Sequence, residues 1–97
     1  MAMYIVLVNF TDQGVRNLKD TTKRADAARE TAKKFGVTFK DLYWTLGSYD
    51  EVITFDAPDD ASMAAFLASL GALGNIRTQT LRAFSQADMS GILAKLG

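Results

Sequence analysis

Tyr43-Trp44-Thr45-Leu46-Gly47-Ser48-Tyr49-Asp50 reads as one strand running into a tight reversal at Gly47-Ser48, and Val52-Ile53-Thr54-Phe55 as the strand that leaves it. Glycine permits a positive φ in such a reversal, and an aspartate can accept from nearby backbone N–H groups. The hairpin sits in the middle of a 97-residue chain. A helical pattern and a further strand flank it on each side. The expected order is therefore β-α-β-β-α-β.

Upstream, residues 3–10 form a continuous apolar run rich in β-branched and aromatic types. Eight residues suit a strand better than a helix. Tyr4, Val6, Val8 and Phe10 fall on one face, and Met3, Ile5 and Leu7 on the other, which marks a central strand covered on both sides. Thr11 or Asp12 can cap the helix that follows. Val15, Leu18, Thr22, Ala25, Ala28, Ala32 and Phe35 recur at spacings of three and four over residues 12–35, the period of an amphipathic helix. The pattern weakens at Asp20-Thr21-Thr22, where adjacent β-branched residues behind a capping aspartate predict a kink or restart. Gly36 is the expected stop.

The second strand spans 37–46, with Leu42, Trp44 and Leu46 on one face and Tyr43 and Thr45 on the other. The third spans 51–57 and ends at Pro58, which cannot donate to a ladder. Asp59 or Asp60 caps a helix carrying Met63, Phe66, Leu67, Leu70 and Leu73, stopped by Gly74. A fourth strand covers 76–84. Ser85 and Asp88 then form a capping pair for a short terminal helix with Met89, Ile92, Leu93 and Leu96.

These elements predict an α+β fold: one ferredoxin-like domain over residues 1–97, a four-stranded antiparallel sheet with helices on one face, and a short C-terminal helix. Two helices cover one side of a sheet. Yet the first three strands carry apolar or aromatic residues on both sides, and a large exposed apolar patch is rare on a monomer. A second copy, sheet against sheet about a two-fold axis, is the expected cover, giving a homodimer or higher homo-oligomer.

Composition narrows the functional classes. Hydrophobic residues make up 48% and charged residues 23%, an ordinary globular balance. Zero net charge gives no argument for nucleic acid or an acidic membrane. Residues 12–34 hold seven Lys/Arg and four Asp/Glu, a net of +3 that reads as a solvated basic helix face. Neither cysteine nor histidine is present. That removes disulfides, thiolate nucleophiles, the usual general base and the commonest metal ligands. No secretory leader or ~20-residue apolar span is recognisable, so the expected setting is the cytoplasm. No cofactor is expected, and no P-loop, nucleophile elbow or dinucleotide fingerprint appears.

The hairpin Gly47-Ser48-Tyr49-Asp50 resembles that of the GYD-domain family of small α+β proteins. The likeness extends to Thr11-Asp12-Gln13-Gly14, to Tyr43-Trp44-Thr45-Leu46 and to Thr80-Leu81-Arg82-Ala83-Phe84. The resemblance implies a ferredoxin-like fold of the dimeric α/β-barrel type and no particular activity. A similar hairpin occurs in the effector-binding domains of Lrp/AsnC-type regulators, where the turn region helps hold small ligands between subunits. This chain lacks their DNA-binding helix-turn-helix.

The candidate ligand-binding residues are Asn9, Tyr43, Thr45, Tyr49, Asp50 and Arg82. A cavity lined by aromatics and a few polar groups is the site they would build, with Tyr4, Trp44, Thr54 and Thr78 as further candidates. Each has a structural alternative: Tyr49 packs its ring while its hydroxyl finds a partner, and Arg82 pairs with Asp50 or Asp56. Three readings follow. The chain is a homodimeric module binding a small apolar or aromatic ligand, a cofactor-independent oxygenase or isomerase, or a purely structural assembly component.

Overall fold

A computed structural model describes all 97 residues. The elements are β1 (Ala2–Phe10), α1 (Asp12–Arg16), a 3₁₀ turn (Leu18–Asp20), α2 (Thr21–Lys34), β2 (Thr38–Trp44), β3 (Glu51–Ala57), α3 (Asp60–Gly71), β4 (Ile76–Ala83) and α4 (Gln86–Ala94). The sheet is antiparallel throughout, in the order β2-β3-β1-β4. This is an α+β protein with a four-stranded antiparallel sheet, compatible with a ferredoxin-like arrangement. No helix is long and apolar enough to cross a membrane.

The helix side of the sheet holds the core. Tyr4, Val6 and Val8 of β1 and Ile53, Phe55 and Ala57 of β3 are buried against Ala32, Met63, Phe66 and Leu70. Phe55 anchors this layer, edge-on to Phe39 at 5.0 Å and to Phe66 at 5.4 Å between ring centroids. Edge-to-face geometry of this kind adds to the burial of the rings themselves.

The second strand differs from simple alternation. Its register slips by one residue between Phe39 and Leu42. Without that bulge Phe39 would share the face of Tyr43; with it, Phe39 joins Leu42 on the core side. Thr54 supports the irregularity: its hydroxyl accepts from the freed Asp41 N–H at 3.1 Å and donates to the Asp41 carboxylate at 3.2 Å. A bulge costs ladder pairing, and the gain here is a phenyl ring packed against the core, over which Arg29 lies at 4.1 Å.

The first helical segment also departs from expectation. The restart falls as predicted before Thr21, but the break begins earlier, after Arg16, and Asp20 makes no side-chain cap. The break resets the helical phase, so Val15 and Leu18 are exposed where unbroken periodicity put them inward. Gly14 is buried instead. Leu73 lies beyond the end of α3 and is likewise exposed.

The predicted caps at the other helix ends are present. Thr11 Oγ1 accepts from Gly14 N, Asp59 Oδ1 from Ser62 N at 2.7 Å, and Ser85 with Asp88 closes a reciprocal capping box. These bonds hold the Asp59 and Asp88 carboxyls below the usual aspartate range.

A second lock joins the start of α1 to the α3–β4 loop. Thr11 N donates to Asn75 O, Thr11 Oγ1 to Gly74 O, and Gln13 Nε2 to Leu73 O and Asn75 Oδ1. The loop passes so close that a Cβ on residue 14 would lie 2.1 Å from Asn75 O. Gly14→Ala should therefore cost about 2–4 kcal/mol, because backbone rather than a flexible side chain has to move. Gly91→Ala, with nothing near the added methyl, should be neutral or slightly stabilising. Urea titrations of both variants test this; equal midpoints would contradict it.

Candidate functional site

The reversal after β2 is longer than a two-residue turn. Residues 45–50 form the loop, closed by Thr45 N donating to Asp50 O at 2.9 Å. Asp50 also bonds to β1. Asp50 N donates to Val8 O, and its carboxylate accepts from Phe10 N, both at 2.8 Å. Asp50 thus extends the β1–β3 ladder with a side chain where the backbone has turned away. Gly47 takes φ +107°, and Leu46 is fully exposed at the tip. Thr45 Oγ1 donates to Tyr49 O at 2.7 Å, and the Tyr49 hydroxyl reaches Gln79 on β4 at 2.9 Å.

These placements sort the candidate residues. Asn9, Tyr43, Thr45, Tyr49 and Asp50 gather at the hairpin end of the sheet. Asn9 and Tyr43 stand on the face away from the helices, and Tyr43 is 62% exposed there. Arg82 lies on the opposite face, paired with Tyr4 near the start of β1. It forms no bond to Asp50 or Asp56: its guanidinium donates to Met3 O and Ala83 O and stacks on the rings of Tyr4 and Phe84. Asp56 pairs with Lys40 instead. Tyr4 is buried, and its hydroxyl donates to Asp60, a bond that pushes its pKa up. Thr78, Thr80 and Arg82 share a face as expected, and all three are exposed.

Across the open face the register builds three rows. Tyr43, Val52, Leu7 and Gln79 form one; Thr54, Ile5 and Leu81 the next; Asp56, Met3 and Ala83 the third. The middle of this surface is aliphatic, and Leu81 is 42% exposed.

A partly open cavity is on the other side. A cavity of about 110 Å³ lies between α2, the sheet and the C-terminal end of α3, walled by Ala28, Phe39, Leu42, Ile53, Leu70 and Ile76. Thr21, Arg24, Glu51 and Asn75 contribute its polar groups. None of the six ligand candidates lines it. The acid that does, Glu51, is only 7% exposed. Its relay is Trp44 Nε1 to Thr21 Oγ1 at 3.0 Å, and Thr21 Oγ1 to Glu51 Oε1 at 3.4 Å. Burial pushes the Glu51 carboxyl above the usual range, opposed by the Thr21 hydrogen bond and by the Arg24 charge. The sequence carried a signal for this residue: Glu51 is in phase with Ile53 and Phe55, so alternation points an acid inward.

A model of the GYD domain matches residues 4–93. The chain belongs to the GYD domain family. A curated relative from Thermus thermophilus, named a glutamine synthetase and cystathionine beta-lyase binding protein, is 34% identical over 90 residues, covering 92% of this chain and 95% of its own. Among solved structures, FFRP-DM1 superposes with a TM-score of 0.61 at 16% identity, covering 87% of this chain and all of its own. TTHA0845, also from Thermus thermophilus, gives 0.57 at 22% identity, covering 88% of this chain and 95% of its own. These likenesses establish the fold. The turn residues that give the GYD family its name have structural work here: Gly47 turns the chain, Tyr49 ties the loop to β4, and Asp50 ties it to β1.

Asp50→Ala should lower stability by about 1–2 kcal/mol, because Phe10 N loses a part-buried, charge-assisted partner. Denaturant unfolding at neutral pH measures it, and an unchanged midpoint would contradict the role. Glu51→Gln should act in the opposite direction and with pH. A carboxyl raised in the folded state binds more protons folded than unfolded, so wild-type stability falls as pH rises from about 4.3 through the folded value. The variant lacks this loss, and its advantage should grow over that window and then level off. A pH-independent difference between the two melting curves would contradict it.

Proposed function

We propose that this GYD protein is a non-enzymatic, homodimeric binding protein. Two copies pair through the open sheet face as a ferredoxin-like dimeric α/β barrel, and the assembly binds a small apolar or aromatic ligand and docks on a partner enzyme. The observation that carries this reading is the aliphatic face of Met3, Ile5, Leu7 and Val52, half-buried, and Leu81, exposed, on the side of the sheet away from the core layer.

Magnitudes support a second copy as the cover. A compact chain of this mass exposes about 5,500 Å², whereas this one exposes 6294 Å². The excess is on the order of 800 Å², the share each partner contributes to a standard-sized interface. The radius of gyration, 14.6 Å, exceeds the roughly 12.5 Å of a compact domain this long. Only 13 of 97 residues are buried. α4 adds to the surplus, with Met89, Leu93 and Leu96 exposed along it.

The partner enzyme is supported by the name of the Thermus relative, a protein that binds two enzymes. Binding rather than catalysis also fits a chain without His or Cys. The oxygenase or isomerase alternative needs Asn9, Tyr43, Trp44 and Arg82 around one cavity. Within a protomer Asn9 and Tyr43 stand on one face of the sheet, and Trp44 and Arg82 on the other. A cytoplasmic setting fits the cysteine-free composition.

Sedimentation equilibrium tests the dimer. At micromolar concentration the wild type should show twice the chain mass. Leu81→Glu places a charge on the rim of the buried patch and should weaken association at least tenfold, with circular dichroism unchanged. A wild type that sediments as a single chain at tens of micromolar would overturn the proposal.

A further inference from the structure

The cavity between α2 and the sheet has the chemistry of a site for one class of ligand. Its walls are mostly carbon, from Ala28, Phe39, Leu42, Ile53, Leu70 and Ile76. Its polar groups are unequally committed. Arg24 donates to Asn17 O and Gly14 O and lies over the Phe10 ring at 5.6 Å. The Thr31 hydroxyl donates to Ala27 O. The Asn75 side-chain oxygen accepts from Gln13 Nε2, and its backbone carbonyl from Thr11 N. Thr21 stands between Trp44 and Glu51. Glu51 is the exception. One oxygen accepts a long bond of 3.4 Å from Thr21, Trp44 lies close enough to lower the carboxyl's pKa, and the other oxygen makes no hydrogen bond within the chain and keeps accessible surface.

A largely buried carboxylate is costly unless solvent or a guest completes its hydrogen bonding. Arg24, the nearest cation, has turned two of its N–H groups to backbone carbonyls. Asp50 is the neighbouring acid, and its carboxylate is occupied by Phe10 N. The missing partner is therefore a donor, and a cationic one gains most beside an acid in apolar surroundings. The volume limits its body. A dry cavity of about 150 Å³ holds benzene; here about 110 Å³ is available, opening towards solvent where Ala27 and Leu73 are exposed.

We propose that this cavity binds a small primary amine with a compact apolar body of about five carbons, its ammonium group donating to Glu51 and its hydrocarbon seated among Phe39, Leu42, Ile53 and Leu70. The proposal rests on the reading of the chain as a ligand-binding protein, and it places the ligand on the helix side of the sheet, away from the dimer face. Isolated acids on the inward side of a strand are usually removed or paired; here Trp44 and Thr21 hold the carboxylate in orientation and leave its second oxygen to a guest.

Three probes of one shape test it: cyclopentylamine, cyclopentanol and cyclopentanecarboxylate, as cation, neutral donor and anion at pH 7.5. With a dissociation constant of about 1 mM, well within the efficiency of six heavy atoms, 10 mM amine should shift the folding equilibrium about elevenfold and raise the melting temperature by about 7 °C at fixed protein concentration. The alcohol should give a smaller shift and the carboxylate none. In Glu51→Gln the amine should lose its advantage over the alcohol. Methyl NMR of the wild type should show the amine moving Leu42, Ile53 and Leu70 while Ile5, Leu7 and Leu81 stay still.

An alcohol or carboxylate as effective as the amine would overturn the assignment. So would an amine effect that survives Glu51→Gln, shifts confined to the open face, or no response to any probe. Sedimentation of the same samples separates the two claims: a dimer without amine binding overturns the site alone, and a single chain overturns the dimer.

Discussion

β1 is apolar on both sides, and the rest of the structure depends on that. One side, Tyr4, Val6 and Val8, is satisfied within the chain by α2 and α3 through the Phe39-Phe55-Phe66 cluster. The other, Met3, Ile5 and Leu7, lies outside the core cluster beside the matching residues of β3 and β4, and is half-buried. Burying apolar area is the dominant favourable contribution in folding and in most association. A chain of this size has little core to spare. Leaving its central strand wet on one flank would forgo much of what the sequence invests in aliphatic side chains. In the proposed dimer, self-association would complete the same core that folding begins.

Two backbone locks give that sheet its ends. At the hairpin end, Asp50 carries the β1–β3 ladder beyond the point where β3 turns away. At the start of α1, Thr11 and Gln13 fasten the α3–β4 loop, and Gly14 leaves room for Asn75 to lie against the helix. Two of the stretches that carry the family resemblance, Thr11–Gly14 and Gly47–Asp50, supply these fastenings. Their residue types answer geometric demands, namely a positive φ, a missing Cβ and an acceptor of backbone N–H groups. In the proposed reading, specificity for a ligand resides elsewhere, in the cavity beneath α2.

The element order, the capping residues and the two-sided character of β1 were legible because each has a local cause: period, cap chemistry or hydropathy. The bulge at Lys40 and Asp41 was not, since its cause is tertiary. Thr54 across the strand satisfies the bulge, and Phe39 gains a place beside Phe55. The loop length failed for the same reason, because Asp50 bonds to a strand forty residues away in sequence. Val15 and Leu18 were assigned inward by a helical phase that the break after Arg16 resets. The candidate site was the least legible part. Aromatic and polar strand residues drew attention to the hairpin and to Arg82, whereas the cavity forms where α2, β2, β3 and α3 converge. Its acid, Glu51, was visible only through its phase against Ile53 and Phe55.

Methyl accessibility to a soluble paramagnetic probe tests the central claim directly, by following Ile5, Leu7 and Leu81 as the protein is diluted. If the open face is the seam between two copies, these methyls should be shielded at high concentration as well as Val6 and Ile53, and should become wetted together as the protein dissociates. Methyls on that face that are fully wetted at every concentration, while the helix-side core stays dry, would contradict it.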